Sequence, residues 1–129
     1  GAWVSNVANG AFLAFNNDTS GDSFDTDGCY NTGTYKFTAP ATGVYIFWYA
    51  IYTAQGNSTN AFTFMKNSTK INWAPDATWL THTLGDDDDH SQEVTVVMPL
   101  SSGDTVGVVA GSTSDWYTGY SQWGGCRLK

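Results

Sequence analysis

Short apolar runs alternate with polar, turn-forming clusters along the whole chain. Residues 10–15 (Gly-Ala-Phe-Leu-Ala-Phe) read as a first strand, and the polar, acidic stretch 16–28 reads as a long loop. Residues 35–38 alternate in the manner of a half-buried strand, and 39–43 (Ala-Pro-Ala-Thr-Gly) form a tight turn. Residues 44–53 are the longest apolar run, Val-Tyr-Ile-Phe-Trp-Tyr-Ala-Ile-Tyr-Thr. A strand built from it is apolar on both faces, so both faces need a cover. Further strands are expected at 61–66, 70–73, 93–100, 105–110 and 120–128, with 77–84 continuing the fifth beyond Pro75.

The connections differ in length. Those at 40–43, 67–69 and 101–104 are short. Those at 16–28, 55–60, 85–90 and 111–119 are longer, and most carry acids. Antiparallel strands reverse direction at every connection, so alternate connections share an end. The expectation is one plain end and one decorated end, and loops on a rigid scaffold are where binding usually resides.

Composition sharpens this reading. Aromatic residues make up 16% of 129 and charged residues only 13%, so the chain has the means to bury a core. Thr, Val, Tyr, Phe and Trp outnumber good helix formers, which favours an all-β domain. The mass of 13.9 kDa suits a single domain over residues 1–129. No apolar run reaches 18 residues. A net charge of −7 argues against binding a nucleic-acid backbone. The chain starts at Gly1 without a Met, and reads as the C-terminal piece of a longer fibre or stalk protein. The cysteines, Cys29 and Cys126, lie near opposite ends and form no CxxC pair. They either close one disulfide or stand as two separate thiols.

Three motifs then fall in order. Residues 35–47 read Tyr-Lys-Phe-Thr-Ala-Pro-Ala-Thr-Gly-Val-Tyr-Ile-Phe, residues 100–106 read Leu-Ser-Ser-Gly-Asp-Thr-Val, and residues 120–128 read Tyr-Ser-Gln-Trp-Gly-Gly-Cys-Arg-Leu. This resembles the globular head of complement component 1q and the related tumour necrosis factor-like domains. The entry to the first motif is approximate, because Thr34 follows Gly33 and Tyr35 precedes the expected spacing. No collagen-like Gly-x-y repeat is present, and Arg127 and Lys129 are unusual for an apolar closing strand. The Asn-, Thr- and Gly-rich composition has the style of a phage or bacterial fibre tip.

The resemblance implies a ten-stranded jelly-roll β-sandwich that associates as a homotrimer. Tyr45, Phe47, Tyr49 and Ile51 would then fill the core, and Val44, Ile46, Trp48 and Ala50 would face the threefold axis; the two faces are interchangeable at this point. The alternative is a monomeric sandwich whose second face is covered by its own loops. The resemblance also brings calcium, which some members bind near the axis. Asp86, Asp87, Asp88 and Asp89, followed by His90, offer hard oxygen ligands for it, unless the run is simply a hydrated loop. Asp18, Asp22, Asp25 and Asp27 either join an acidic apex or, as the favoured reading, are simply hydrated.

Asp115, Trp116 and Tyr117 precede the last strand. Exposed there, the rings would stack on a sugar or anchor a protein; otherwise they pack inward or against a neighbouring subunit. Trp73 and Trp79 flank Pro75, and Trp3 precedes the first strand. His82 and His90 belong to no catalytic spacing, and no Gly-x-Ser-x-Gly occurs, so no enzyme is expected. Sequons start at Asn17, Asn57 and Asn67.

The leading expectation is thus a non-enzymatic, extracellular trimeric head. It would bind a cell-surface glycan or protein through its distal loops, as in cell adhesion or viral attachment. The rivals are a purely structural trimerisation domain of a fibre and a monomeric carbohydrate-binding module. Neither nucleic acid nor membrane insertion is expected.

Overall fold

The computed structural model describes residues 1–15, 25, 27–53, 62–71 and 90–129, with His90 described by its backbone alone. Among these residues there are ten strands and no helix: β1 (Trp3–Val7), β2 (Tyr30–Asn31), β3 (Lys36–Thr38), β4 (Gly43–Thr53), β5 (Phe62–Lys66), β6 (Thr69–Lys70), β7 (His90–Leu100), β8 (Thr105–Ala110), β9 (Ser114–Tyr117) and β10 (Gln122–Arg127). One sheet has the order β10-β4-β7 and the other β2-β3-β8-β5-β6, while β1 and β9 form a two-stranded ribbon. The β2–β3 and β5–β6 hairpins stay in one sheet, the chain crosses between the sheets from β3 to β4, β4 to β5, β6 to β7 and β7 to β8, and all pairings are antiparallel. This is a jelly-roll sandwich.

The period of β4 explains why it sits at the centre of its sheet. Tyr45, Phe47, Tyr49 and Ile51 are almost fully buried, at 0–1% exposure. They face Phe62, Phe64, Val106 and Val108 of the other sheet, with Val96, Met98 and Leu100 from β7 completing the core. Burying one such side chain contributes about 1.5–3 kcal/mol, set against the entropy of ordering it. The phenol hydroxyls that come with this aromatic filling are paired. Tyr45 Oη donates to Ala41 O at 2.6 Å and Tyr49 Oη donates to Phe62 O at 2.9 Å. Burial pushes the Tyr49 phenol well above its ordinary pKa.

The adjacent glycines of β10 serve the close approach that their place in a strand predicts. Gly124 is paired with Trp48, and a Cβ there would lie 3.0 Å from the indole. Gly125 is paired with Phe47 on the inner face, and a Cβ there would run into the ring.

The short turns do meet at one end. Ala39 N–H donates to Asp104 O, Gly103 N–H to Ala39 O, and Asn67 N–H to Thr105 O, each at 2.8 Å. The end of β4, the starts of β5 and β7 and the turn 111–113 lie at the opposite end, where Thr53 pairs with His90 and Phe62 with Ala110. The first long connection does not follow this alternation. It ends at Cys29, whose carbonyl accepts from Thr38 N–H, on the side of the short turns. The cause is β2 and its turn at 32–35, an extra reversal that the sequence pattern does not announce.

Two further expectations change. Residues 10–15 hold a single bridge, Phe12 to Val109, and the first strand is β1 instead. Residues 111–119, expected as loop, contain β9. Cys29 and Cys126 are both free thiols and not a disulfide. Cys29 leads into β2 of the five-stranded sheet. Cys126 lies on β10 opposite Ile46, on the outer face of the three-stranded sheet. Desolvation first, then the charges of Asp25 and Asp27, raise the pKa of the Cys29 thiol.

Candidate functional site

Two surfaces of the sandwich carry chemistry-bearing side chains that the core does not consume. The first is the outer face of the three-stranded sheet. The alternation that sends Tyr45, Phe47 and Tyr49 inward sends Val44, Ile46, Trp48 and Ala50 outward. Val44 and Trp48 are 36% and 38% exposed, and Val97 of β7, paired with Ile46, is 48% exposed. Trp48 is not loose there, since its indole lies over Gly124 of β10. The result is an apolar stripe running the length of β4 with no cover among the described residues.

The second surface lies at the end where β4 finishes and β7 begins. Antiparallel pairing sets Trp3 of β1 opposite Tyr117 of β9. Tyr52, the penultimate residue of β4, and Tyr120, in the turn before β10, close in on them. Trp3 and Tyr117 have ring centroids 5.3 Å apart, and Tyr117 and Tyr120 5.1 Å apart. Ser121 fixes the turn that carries Tyr120. Its hydroxyl donates to Tyr117 O at 2.7 Å and accepts from Tyr52 N–H at 2.9 Å. The four aromatic side chains line an open pocket of about 220 Å³.

The three residues expected to bind a ligand therefore part company. Tyr117 is in the pocket wall. Asp115 is two residues away on the same face of β9, and its Oδ1 accepts from Asn6 N–H at 2.6 Å. Trp116 points the other way and is 1% exposed, packed on Phe15 at 4.8 Å between centroids. It is a core residue and not a stacking platform, because β9 is a strand and its period of two sends neighbours to opposite faces. Its Nε1–H finds no acceptor among the described residues.

The acidic run Asp86, Asp87, Asp88 and Asp89 lies outside the described residues, as do Asp18, Asp22, His82, Trp73 and Trp79. Among the described residues no cluster of acidic, His or Cys side chains is arranged to hold a metal ion. Asp25 has a structural task, with its carboxylate accepting from Cys29 N–H at 2.9 Å and Tyr30 N–H at 2.8 Å. The sequon residue Asn67 is likewise engaged: Nδ2 donates to Asp104 Oδ1 at 3.0 Å and Oδ1 accepts from Thr105 N–H at 2.9 Å.

Sequence reasoning missed Trp3, Tyr52 and Tyr120 as members of one pocket. Each is an ordinary aromatic in its local pattern, and only the pairing of β1 with β9, more than a hundred residues apart, unites them.

The profile of the C1q domain matches residues 5–123. Among curated proteins no sequence matches significantly. Among solved structures the fold is similar to the globular domain of zebrafish complement 1qA, with a TM-score of 0.67 at 13% identity, covering 97% of this chain and 90% of that one. It is also similar to GITRL from pika, at TM-score 0.56, 16% identity and coverage of 84% and 90%. Rabbit GITRL gives TM-score 0.54 at 15% identity, with coverage of 74% and 73%.

Proposed function

The chain belongs to the C1q domain family, and from that premise we propose that it is a non-enzymatic recognition head. It assembles as a homotrimer and binds a glycan or protein at the outside of a cell or virion. The observation that supports this reading is the outward apolar stripe Val44, Ile46, Trp48 and Ala50, extended by Val97. A monomeric soluble domain rarely leaves a contiguous apolar strip along its central strand, and a second and third copy would remove it from water. Three copies then present their loop ends in parallel, so that weak single contacts multiply.

The test compares the parent with Trp48→Glu. This change places a charge on the outer face and leaves the core side of β4 untouched. Fluorescent forms of both are applied to cells and to panels of glycans and surface proteins. The reading expects a single-chain variant with apparent affinity about 10²–10⁴ lower than the trimeric parent. Equal binding by parent and variant contradicts it. A trimer that binds nothing on any panel would mark a structural trimerisation domain instead.

A further inference from the structure

The pocket formed by Trp3, Tyr52, Tyr117 and Tyr120 has walls unlike the rest of the surface. Among the described residues its lining is entirely Trp and Tyr, with no Lys, Arg or aliphatic side chain. They come from three separate stretches, at residues 3, 52 and 117–120, so the grouping is a product of the fold. Stability alone does not account for it, since Trp3 is 44% and Tyr120 72% exposed.

Ring orientation says what such a pocket suits. Tyr52 meets Tyr120 at 81° and Tyr117 at 72°, while Trp3 is tilted by 37° to Tyr52 and by 60° to Tyr117. Tyr117 and Tyr120 are tilted by 41°, so the ring pairs in contact are all inclined to one another and do not make a flat platform for a row of sugar rings. With centroids 5.1–6.3 Å apart they lean on one another and make an open aromatic cup, with ring planes set in several directions. Each face carries the negative side of the aromatic quadrupole, and a cation is the group that gains from several faces at once.

The charges point the same way. Asp115 stands two residues from Tyr117 on the same face of β9, and the chain as a whole carries −7. A primary ammonium is strongly hydrated and loses that hydration on entry. A trimethylated ammonium is weakly hydrated, and its methyl groups pack on the rings. We propose that the Trp3–Tyr52–Tyr117–Tyr120 pocket, flanked by Asp115, binds a quaternary ammonium group of the choline type. This rests on the recognition reading for its setting and deepens it by naming a ligand class.

The test is calorimetric titration of choline chloride into the assembled protein, at constant ionic strength. Binding is expected at about millimolar affinity, as suits an open aromatic cup. The neutral isostere 3,3-dimethylbutanol should bind at least about tenfold more weakly. Tyr120→Ala, the most exposed ring, and Trp3→Ala should each weaken choline binding about tenfold, with unchanged β-sheet circular dichroism for Tyr120→Ala. Phosphatidylcholine vesicles, set against phosphatidylglycerol vesicles, tell a lipid headgroup from a free one; binding to either source supports the proposal. No heat with choline, equal binding of the isostere, or full affinity in Tyr120→Ala overturns it. Solution mass is read on the same samples. A trimer that ignores choline refutes the pocket and leaves the assembly standing, and a single chain that binds choline does the reverse.

Discussion

Gly125→Ala and Gly124→Ala differ by one position and should fail in different ways. A methyl group at Gly125 points at the Phe47 ring from the edge of the sandwich. It would overlap the Phe47 ring and lie 2.7 Å from the Ile46 carbonyl oxygen. Phe47 cannot retreat, because Phe37, Tyr45, Phe64 and Trp123 surround it at centroid distances of 5.3–6.3 Å. Overpacking of this kind costs about 1–3 kcal/mol. Stiffening the unfolded chain returns about 0.4–1 kcal/mol. The net loss, about 1.3 kcal/mol at mid-range and up to about 2.6 kcal/mol, lowers Tm by roughly 4–10 °C for a domain of this size. A methyl group at Gly124 points outward, 3.0–3.2 Å from the Trp48 indole. Trp48 is 38% exposed and free to tilt away, so folding of the single chain should lose less than about 0.5 kcal/mol. The tilted indole disturbs the stripe, however, and should weaken assembly. Thermal melts at a dilute and a concentrated setting separate the two effects, because assembly adds to apparent stability by mass action. Gly125→Ala should lose stability at both concentrations and Gly124→Ala only at the higher one. Refutation would be a Gly125→Ala protein as stable as its parent, or a Gly124→Ala protein equally damaged when dilute.

Asp104 accepts from Ser101 N–H and Asn67 Nδ2 and pairs with Lys66 at 3.2 Å, and the Asn67 bond leads in lowering its pKa to about 2. Its contribution to stability should be complete above about pH 4 and fade as pH falls toward 2, since the unfolded chain takes up the proton first. Asp104→Asn should therefore lower Tm at pH 7 and flatten the Tm profile between pH 4 and 2; an unchanged acid limb would count against the turn cluster. Desolvation first of all pushes the Tyr30 phenol up to about 12. Above about pH 10 the unfolded chain gives up phenol protons that the folded chain keeps, so stability should fall between pH 10 and 12. Absorbance titration at 295 nm should show Tyr30→Phe losing a late-titrating phenol, and a Tyr30 that ionises near 10 would be inconsistent with its packing. Tyr49→Phe removes the bond to Phe62 O and should cost about 0.5–1.5 kcal/mol, read as a lower urea midpoint at unchanged slope.

What the sequence told in advance was local and periodic. Residues 44–53 announced a central strand with two apolar faces, and the face read as core is the buried one. The Gly124–Gly125 pair announced close neighbours, which are Trp48 and Phe47. The short turns gathered at one end because strand reversal is a parity rule. The rule failed where a two-residue strand, β2, added a reversal too short to leave a pattern. Trp116 was misplaced for a related reason. Its strand is four residues long, follows a turn-like Gly-Ser-Thr, and is stabilised by β1, more than a hundred residues away. No local window holds that partner. The aromatic pocket was illegible for the same cause, since none of its four rings is unusual until Trp3 lies across from Tyr117.

The most direct measurement is the mass of the protein in solution by light scattering. The outward stripe of β4 and Val97 predicts about 42 kDa, three times 13.9 kDa, falling to about 13.9 kDa on Trp48→Glu. A mass of 13.9 kDa for the parent across the concentration range would contradict the trimeric head.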